Sequence, residues 1–267
     1  MHDTRIVSGG LRVDSRAISF FVKDYEVQYH EIDQRGFARP LALLNYLQSA
    51  AGEHATMLGV AVADLRKSGH TWVMSRLHLV MERYPRGADT IRIRTWPATR
   101  NTLFTVRDFE LFGMDGALIG RATTSWAVLN LKTRRPVKLV SVLPMYPLNP
   151  ERALNDIFST LPLPERTEYE LRLPVLRGDL DINRHVNNTV YAGWALETIP
   201  EEVDNSCRLA AIEIGFRSEA LYGDTIVSRS ATAAEPGCYL HCIESAGDGR
   251  ELARLRTRWL PLENAHQ

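Results

Sequence analysis

The chain contains the same unit twice, and this duplication constrains its fold more than any other feature of the sequence. Residues 115–126 read DGALIGRATTSW and residues 248–259 read DGRELARLRTRW, an offset of 133 residues. Asp89 and Asp224 begin similar Asp-Thr-Ile segments at an offset of 135, and DQRGFARPLALLNYL from Asp33 corresponds to DINRHVNNTVYAGWA from Asp181 at an offset of 148. Three segments in one order are not expected by chance, so we infer two homologous halves.

Each half is predicted to hold one helix followed by about four antiparallel strands. Pro40 suits the first turn of a helix in the first half, and Asn187 or Asn188 can cap a helix that ends at Pro200 in the second. Strand-like runs follow at residues 71–82, 89–98, 104–112 and through 126–131, and at 209–216, 225–233, 239–245 and 252–260. Such a sheet buries its apolar face against the helix, which predicts an α+β fold.

A proline-rich stretch without a sustained period separates the halves, beginning at Leu131. We place an N-terminal domain at residues 1–131, a linker at 132–165 and a C-terminal domain at 166–267.

Composition excludes several classes of protein. The 32 Lys and Arg residues balance the 32 Asp and Glu residues, so no overall basic field attracts nucleic acid or anionic lipid. No run approaches the ~18 to 20 apolar residues of a membrane span, and the N-terminus lacks the apolar core of a secretory signal. Three cysteines are too few for a disulfide framework. These features predict a cytoplasmic protein with reduced thiols.

The spacing of Cys238, His241 and Cys242 suggests a metal site only at first sight. Alternation along a strand puts the two cysteines on one face and His241 on the other, and a second ligand pair is missing. We therefore predict no metal and no other cofactor.

The segment GDLDINRHVNNTVYAGWALETIP, residues 178–200, concentrates short polar groups just before an apolar helix. A polar loop with a helix cap would explain Asn187 and Asn188. His185 is different, because imidazole titrates near neutral pH and a nearby helix N-terminus can stabilise a developing oxyanion.

The first half provides an internal control for this segment. It has Asp33 where the second half has Asp181, but Arg35 and Phe37 stand in place of Asn183 and His185. Folding therefore requires the Asp and the turn, whereas Asn183 and His185 are candidates for function.

The same segment closely resembles the signature of the acyl-ACP thioesterases, double-hotdog enzymes of plant plastids and some bacteria. The resemblance covers about residues 18–260 and includes RPLALLNYLQSAAGEHA, TWVMSRLHLVMERYPRGAD and RATTSWAVLNLKTRRPVKL in the first half. It implies a tandem hotdog, each half a long helix wrapped by an antiparallel sheet. It also implies a thioester hydrolase that releases free fatty acid and holo-ACP from fatty acyl-ACP, which ends chain elongation.

In this family the second hotdog carries catalysis, and the matching positions are Asp181, Asn183, His185 and the downstream acid Glu219. The cysteine that usually follows this acid in plant members is Ala220 here, which favours water as the nucleophile. Glu219 would be the general base, and Asn183 with a helix N–H would polarise the carbonyl. Asp181 and His185 would position the water or protonate the leaving thiolate.

The resemblance assigns the acyl chain to an apolar slot in the first half, although core packing explains the same side chains. The candidates are Leu44, Leu47, Trp72, Met74 and Leu77, with Asn187 and Asn188 as further substrate-binding residues. Acyl carrier protein is acidic, so a local basic surface is expected. Its candidates are Lys132, Arg134, Arg135 and Lys138, a run that is otherwise a solvated segment.

Three other functions remain open at this point. An acyl-CoA thioesterase would use the same chemistry with a different carrier, a hotdog hydratase would act on an unsaturated acyl thioester, and a sensor would bind without reacting. A double hotdog contains the pairing that single hotdogs achieve as dimers, so either a monomer or a homodimer is expected.

Overall fold

The computed structural model describes residues 19–182 and 184–262, which divide into two compact units. The first unit comprises residues 19–75 and 83–155, and the second comprises the other described residues. The elements in chain order up to residue 155 are β1 (Phe21–Glu26), α1 (Pro40–Met57), α2 (Val62–Lys67), β2 (His70–Met81), β3 (Thr90–Arg100), β4 (Phe104–Phe112) and β5 (Leu118–Asn130). Those that follow are β6 (Tyr169–Pro174), α3 (Asn188–Leu196), α4 (Glu201–Ser206), β7 (Cys207–Phe216), β8 (Thr225–Thr232), β9 (Cys238–Ser245) and β10 (Glu251–Pro261).

In the first unit, α1 packs on an antiparallel sheet with the strand order β1-β3-β4-β5. The helix begins at Pro40 as predicted and contacts β1 and β3. Its buried face includes Leu43, Leu44, Leu47 and Ala50, at the spacing of three and four that places side chains on one side of a helix. The apolar side of the sheet is therefore buried by the only long helix available to it in the described part of this unit.

The second unit repeats this arrangement. Residues 76–80 of β2 pair with β7, and the sheet continues in the order β10, β9, β8 and β6. α3 contacts β8, β9 and β10. The helix ends at Leu196 and not at Pro200 as predicted, because the N–H groups of Thr198 and Ile199 bond to carbonyls three residues back and tighten the chain into a turn.

The predicted α+β tandem hotdog is confirmed, with one correction to the strand count. The sequence prediction placed four strands after each helix and missed β1 and β6, which precede the helices. Among the described residues, β1 pairs only with β3 and β6 only with β8. Such edge strands bury one side at most, and their alternating charged residues hide the apolar signal.

No helix in the described ranges is long and apolar enough to cross a membrane.

Much of the segment expected to link the two halves packs within the first unit. Leu139 and Leu143 are buried together with Val128 of β5. Further along, the Trp96 indole N–H donates to the carbonyl of Glu151 at 2.9 Å. The carboxylate of Asp108 accepts from Nε of Arg152 at 2.8 Å. Residues 132–155 accordingly cluster with the first unit.

A buried neutral histidine lies in the core of the second unit. His241 is fully buried, with Nε2 2.9 Å from the Thr257 hydroxyl and Nδ1 3.4 Å from the Thr198 hydroxyl. The Thr198 hydroxyl donates to the carbonyl of Ala195, so it accepts from Nδ1–H, and Nε2 accepts from Thr257. Both ring nitrogens are bonded in the neutral form, and burial lowers the pKa of His241 to about 3.

We expect this histidine to make folding stability fall with acid. Its pKa in the folded protein lies below the ordinary 6.5, so the unfolded chain takes up the proton first. The stabilisation is complete above about pH 6.5 and is lost as pH falls toward 3, by about 1 kcal/mol between pH 6 and 5. Urea unfolding at both pH values, compared with His241→Gln, measures it. Equal pH dependence in the two proteins would contradict the assignment.

Candidate active site

The loop before each helix is the same turn in both units. The N–H of Asp33 donates to the carbonyl of Phe37 at 2.7 Å, and the N–H of Asp181 donates to that of His185 at 2.8 Å. In return the Asp33 carboxylate accepts from the N–H of Phe37 at 3.0 Å, and the Asp181 carboxylate from that of His185 at 3.2 Å. The predicted correspondence is confirmed, and the Asp closes this turn whether or not a histidine follows.

A second loop contacts this turn in each unit: the loop from β2 to β3 in the first unit and the loop from β7 to β8 in the second. In the second unit His185 pairs with Leu221 as an isolated antiparallel bridge, as Phe37 pairs with Arg86 in the first. The loop is closed by a carboxylate, because Asp224 accepts from the N–H of Leu221 at 2.9 Å. Asp89 accepts from the N–H of Arg86 in the same way at 2.7 Å.

This pairing of loops brings His185 and Glu219 together. Nδ1 of His185 lies 3.4 Å from Oε1 of Glu219, and the two side chains are 30% and 34% exposed. The two side chains are therefore close to each other and partly open to solvent. Asp181 contacts the main chain of His185, and Asn183 lies outside the described residues.

The turn also carries local backbone strain. Arg184 has a φ of 64°, in the left-handed region, whereas Gly36 takes that position in the first unit with a φ of 81°. Glycine adopts this conformation freely, but a residue with a side chain pays of order 1 kcal/mol or more. The second unit therefore has a strained residue directly before His185, at a position where the first unit has an unstrained glycine.

The two asparagines at the start of α3 have distinct places. Asn187 is the N-cap, and its side-chain oxygen accepts from the N–H of Thr189 at 3.2 Å. Asn188 is the first helical residue and is half-buried. Asn187 alone therefore caps α3, and Asn188 is not needed for capping.

Tyr191 contacts the residue next to Glu219, although the sequence predicts no role for it. Its hydroxyl accepts from the N–H of Ala220 at 3.0 Å, next to Glu219. The available signal was weak, because a tyrosine within an apolar helix is usually explained by core packing.

Two of the three cysteines are poorly suited to nucleophilic attack. Cys238 and Cys242 are buried free thiols. Burial, with the charge of Glu244 next, raises the pKa of Cys242 to about 12, and burial with Glu235 raises that of Cys238. A thiol in such surroundings is not ionised near neutral pH.

One group of side chains in the described ranges has the ligand types of a metal site: His78, Asp156 and Glu213. Nδ1 of His78 is hydrogen-bonded to Asp156 at 2.8 Å, and Nε2 is 4.0 Å from Glu213. Glu213 also accepts from Nε of Arg256 at 2.9 Å. We interpret the group as a hydrogen-bonded network that includes the ion pair of Glu213 with Arg256, because a cationic guanidinium in contact with a ligand opposes a second cation.

The predicted acyl-slot residues occupy two kinds of position. Leu44, Leu47 and Met74 are buried in the first unit. Trp72 packs against the cluster around Val60, whose carbonyl accepts its indole N–H at 2.7 Å. Leu77 is buried too, but it belongs to the second unit.

The four predicted carrier-docking residues follow β5, in a segment that begins with a turn. Lys132, Arg134, Arg135 and Lys138 are all exposed, and the side chain of Asn130 holds the turn by accepting from the N–H of Lys132 at 3.0 Å. Their charges are therefore presented to solvent.

Two protein families match the chain, one in each half. The family described as acyl-ACP thioesterase N-terminal domain matches residues 19–143, and the acyl-ACP thioesterase C-terminal domain matches residues 164–261. The chain is 29% identical over 273 residues to the chloroplastic oleoyl-acyl carrier protein thioesterase 1 of Arabidopsis thaliana, covering 90% of this chain and 75% of the relative. It is 30% identical over 283 residues to the oleoyl-acyl carrier protein thioesterase of Coriandrum sativum, with the same coverage.

Solved structures show the same fold. An acyl-ACP thioesterase from Bacteroides thetaiotaomicron superposes with a TM-score of 0.79 at 24% identity, covering 93% of this chain and 100% of the other. The 12:0-ACP thioesterase from Umbellularia californica superposes with a TM-score of 0.80 at 24% identity, covering 91% and 98%.

Proposed function

The chain belongs to the acyl-ACP thioesterase family, and from that premise we propose that His185 and Glu219 hydrolyse the thioester of fatty acyl-ACP. The products are free fatty acid and holo-ACP, so the reaction ends chain elongation. The approach of Nδ1 of His185 to Oε1 of Glu219, 3.4 Å in a partly exposed loop pair, is the observation that carries the proposal.

Glu219 is the proposed general base. The oxygen of a water molecule bonds to the thioester carbonyl carbon while its proton passes to the Glu219 carboxylate. The carbon–sulfur bond then breaks, and the departing thiolate takes up a proton, so one fatty acid and one thiol form. His185, in contact with the base, is proposed to position the water or to protonate the thiolate.

The oxyanion that forms during attack requires donors. At the start of α3, the N–H of Thr189 donates to the side chain of Asn187, and the N–H of Val190 donates to the carbonyl of Asn187. The N–H of Asn188 at the start of α3 is therefore the proposed helix donor, together with the side chain of Asn183. Asp181 is proposed to hold His185 in place through the main chain.

Water is favoured over a thiol as the nucleophile. The residue after Glu219 is Ala220, and the buried thiols of Cys238 and Cys242 have raised pKa values. Free thiols are also typical of a reducing compartment, which supports our proposal of a cytoplasmic protein. A monomer or a homodimer stays a prediction.

The first experiment is thiol release from acyl-ACP substrates of graded chain length and saturation, with matched acyl-CoAs. We expect release from acyl-ACP together with an equal amount of free fatty acid. Release from acyl-CoA alone would show that the substrate carrier is CoA and not ACP. Loss of enoyl absorbance without thiol release would indicate a hydratase, and binding without reaction would indicate a sensor.

We propose that the acyl chain lies among apolar side chains of the first unit. We also propose that the acidic carrier protein contacts four basic residues: Lys132, Arg134, Arg135 and Lys138.

Reversing the charge of Lys132 and Arg135 to Glu tests the docking proposal. It is expected to raise KM for acyl-ACP about 5- to 30-fold, since each exposed charge contributes ~0.5 to 1 kcal/mol. KM for acyl-CoA should change much less.

A matched control reverses Lys67 and Arg166 to Glu, because both side chains are also highly exposed. A similar rise in KM for this control variant would show that only net charge matters, and would contradict docking at the turn after β5.

A further inference from the structure

We propose that Tyr191 is a positioning residue that fixes Glu219 beside His185. The inference rests on the proposed role of Glu219. The Tyr191 hydroxyl accepts the N–H of Ala220 at 3.0 Å, and Ala220 is fully buried. A main-chain N–H in such a place costs free energy when its partner is lost, so this bond restrains the residue that follows the base.

The other polar group of Ala220 is also held. Its carbonyl accepts from the N–H of Val186 at 3.3 Å, and Val186 directly follows His185. Ala220 is thus tied on one side to the turn that carries the histidine and on the other side to α3. The two bonds together set where the Glu219 side chain leaves the main chain.

Tyr191 is itself rigidly placed. Its ring makes edge-to-face contacts with Trp194 at 5.1 Å and with Phe216 at 5.7 Å, an arrangement that favours one ring orientation. Phe216 ends β7, three residues before Glu219. Burial, and to a lesser extent the negative charge of Glu219, raise the pKa of Tyr191 to about 12, so the hydroxyl is neutral near physiological pH.

The first unit shows that the fold does not need this bond. By the offsets that align Asp33 with Asp181 and Asp89 with Asp224, Tyr191 corresponds to Leu43 and Ala220 to Pro85. Leucine has no acceptor, and proline has no N–H to donate.

The neighbouring bond is nevertheless present in both units. Ala38 donates to the carbonyl of Pro85 at 2.8 Å, as Val186 donates to that of Ala220. The hydrogen bond between the two loops is therefore common to both units. The hydrogen bond to a tyrosine is absent from the described first unit, in which Phe37 and Tyr84 replace His185 and Glu219. This difference assigns the Tyr191 hydroxyl to the positioning of Glu219.

The test removes the hydroxyl and measures thiol release from fatty acyl-ACP by the full chain. Tyr191→Phe is expected to lower kcat about 10-fold, equivalent to ~1.4 kcal/mol in the barrier, with KM within about twofold. Tyr239→Phe is the matched control, because Tyr239 is a buried tyrosine on β9 of the same unit. It should retain wild-type kcat.

A double-mutant cycle separates positioning from a general structural effect. In a Glu219→Gln background, Tyr191→Phe should cause no further loss of kcat, since the residue it positions has already lost its function. The same fold-loss in both backgrounds, an unchanged kcat in Tyr191→Phe, or failure of that variant to fold would overturn the proposal. Full activity of Glu219→Gln alone would instead overturn the proposed base.

Discussion

The His185→Phe variant is expected to fold normally and to lose about 10²- to 10⁴-fold in kcat for thiol release from fatty acyl-ACP, the usual range for an acid–base group. Phenylalanine already occupies this position of the turn in the first unit, as Phe37, with the same hydrogen bonds to the preceding Asp. The substitution therefore removes the imidazole and leaves the scaffold intact.

Steady-state kinetics and thermal unfolding check this expectation together. The reciprocal Phe37→His variant places an imidazole in the first unit, where Tyr84 and not a glutamate takes the position that corresponds to Glu219, and should leave kcat unchanged. A His185→Phe kcat within about threefold of wild type would remove His185 from the reaction.

The Glu219→Gln variant is expected to lose kcat by a similar factor, about 10²- to 10⁴-fold. The amide matches the carboxylate in size but cannot accept a proton from water, so the change affects the reaction and not the packing. The side chain is one-third exposed, and we expect little change in stability.

Glu202→Gln is the control for this variant, because it makes the same change at an exposed position on α4 of the same unit. Its kcat should equal that of wild type. If Glu219→Gln retained wild-type kcat while the fold was intact, another group would have to be the base.

The sequence was most informative where one residue type alone suits a backbone position. Asp33 and Asp181 were aligned from the sequence, and each closes a turn through the same hydrogen bonds. Pro40, and either Asn187 or Asn188, were expected at helix starts, and the structure places Pro40 in the first turn of α1 and Asn187 at the N-cap of α3. Local chemistry of this kind is repeated in both halves, which makes it recognisable.

Contacts between distant segments could not be found in the same way. The 3.4 Å separation of His185 and Glu219 depends on two loops meeting, and the resemblance pointed to Glu219 without giving its geometry. The bond from Ala220 to Tyr191 joins residues 29 positions apart, and neither residue type signals it. β1 and β6 were missed because edge strands carry too little apolar pattern.

We propose that the second unit hydrolyses a fatty acyl-ACP thioester through His185 and Glu219. The most direct measurement is thiol release from fatty acyl-ACP by wild type and by the double variant His185→Phe, Glu219→Gln. We expect rapid release with an equal yield of free fatty acid from wild type. The folded double variant should be about as slow as the slower single variant, because residues that act as a unit lose activity non-additively. Absence of release by wild type, or undiminished release by the double variant, would rule out His185 and Glu219 as the residues that hydrolyse the thioester.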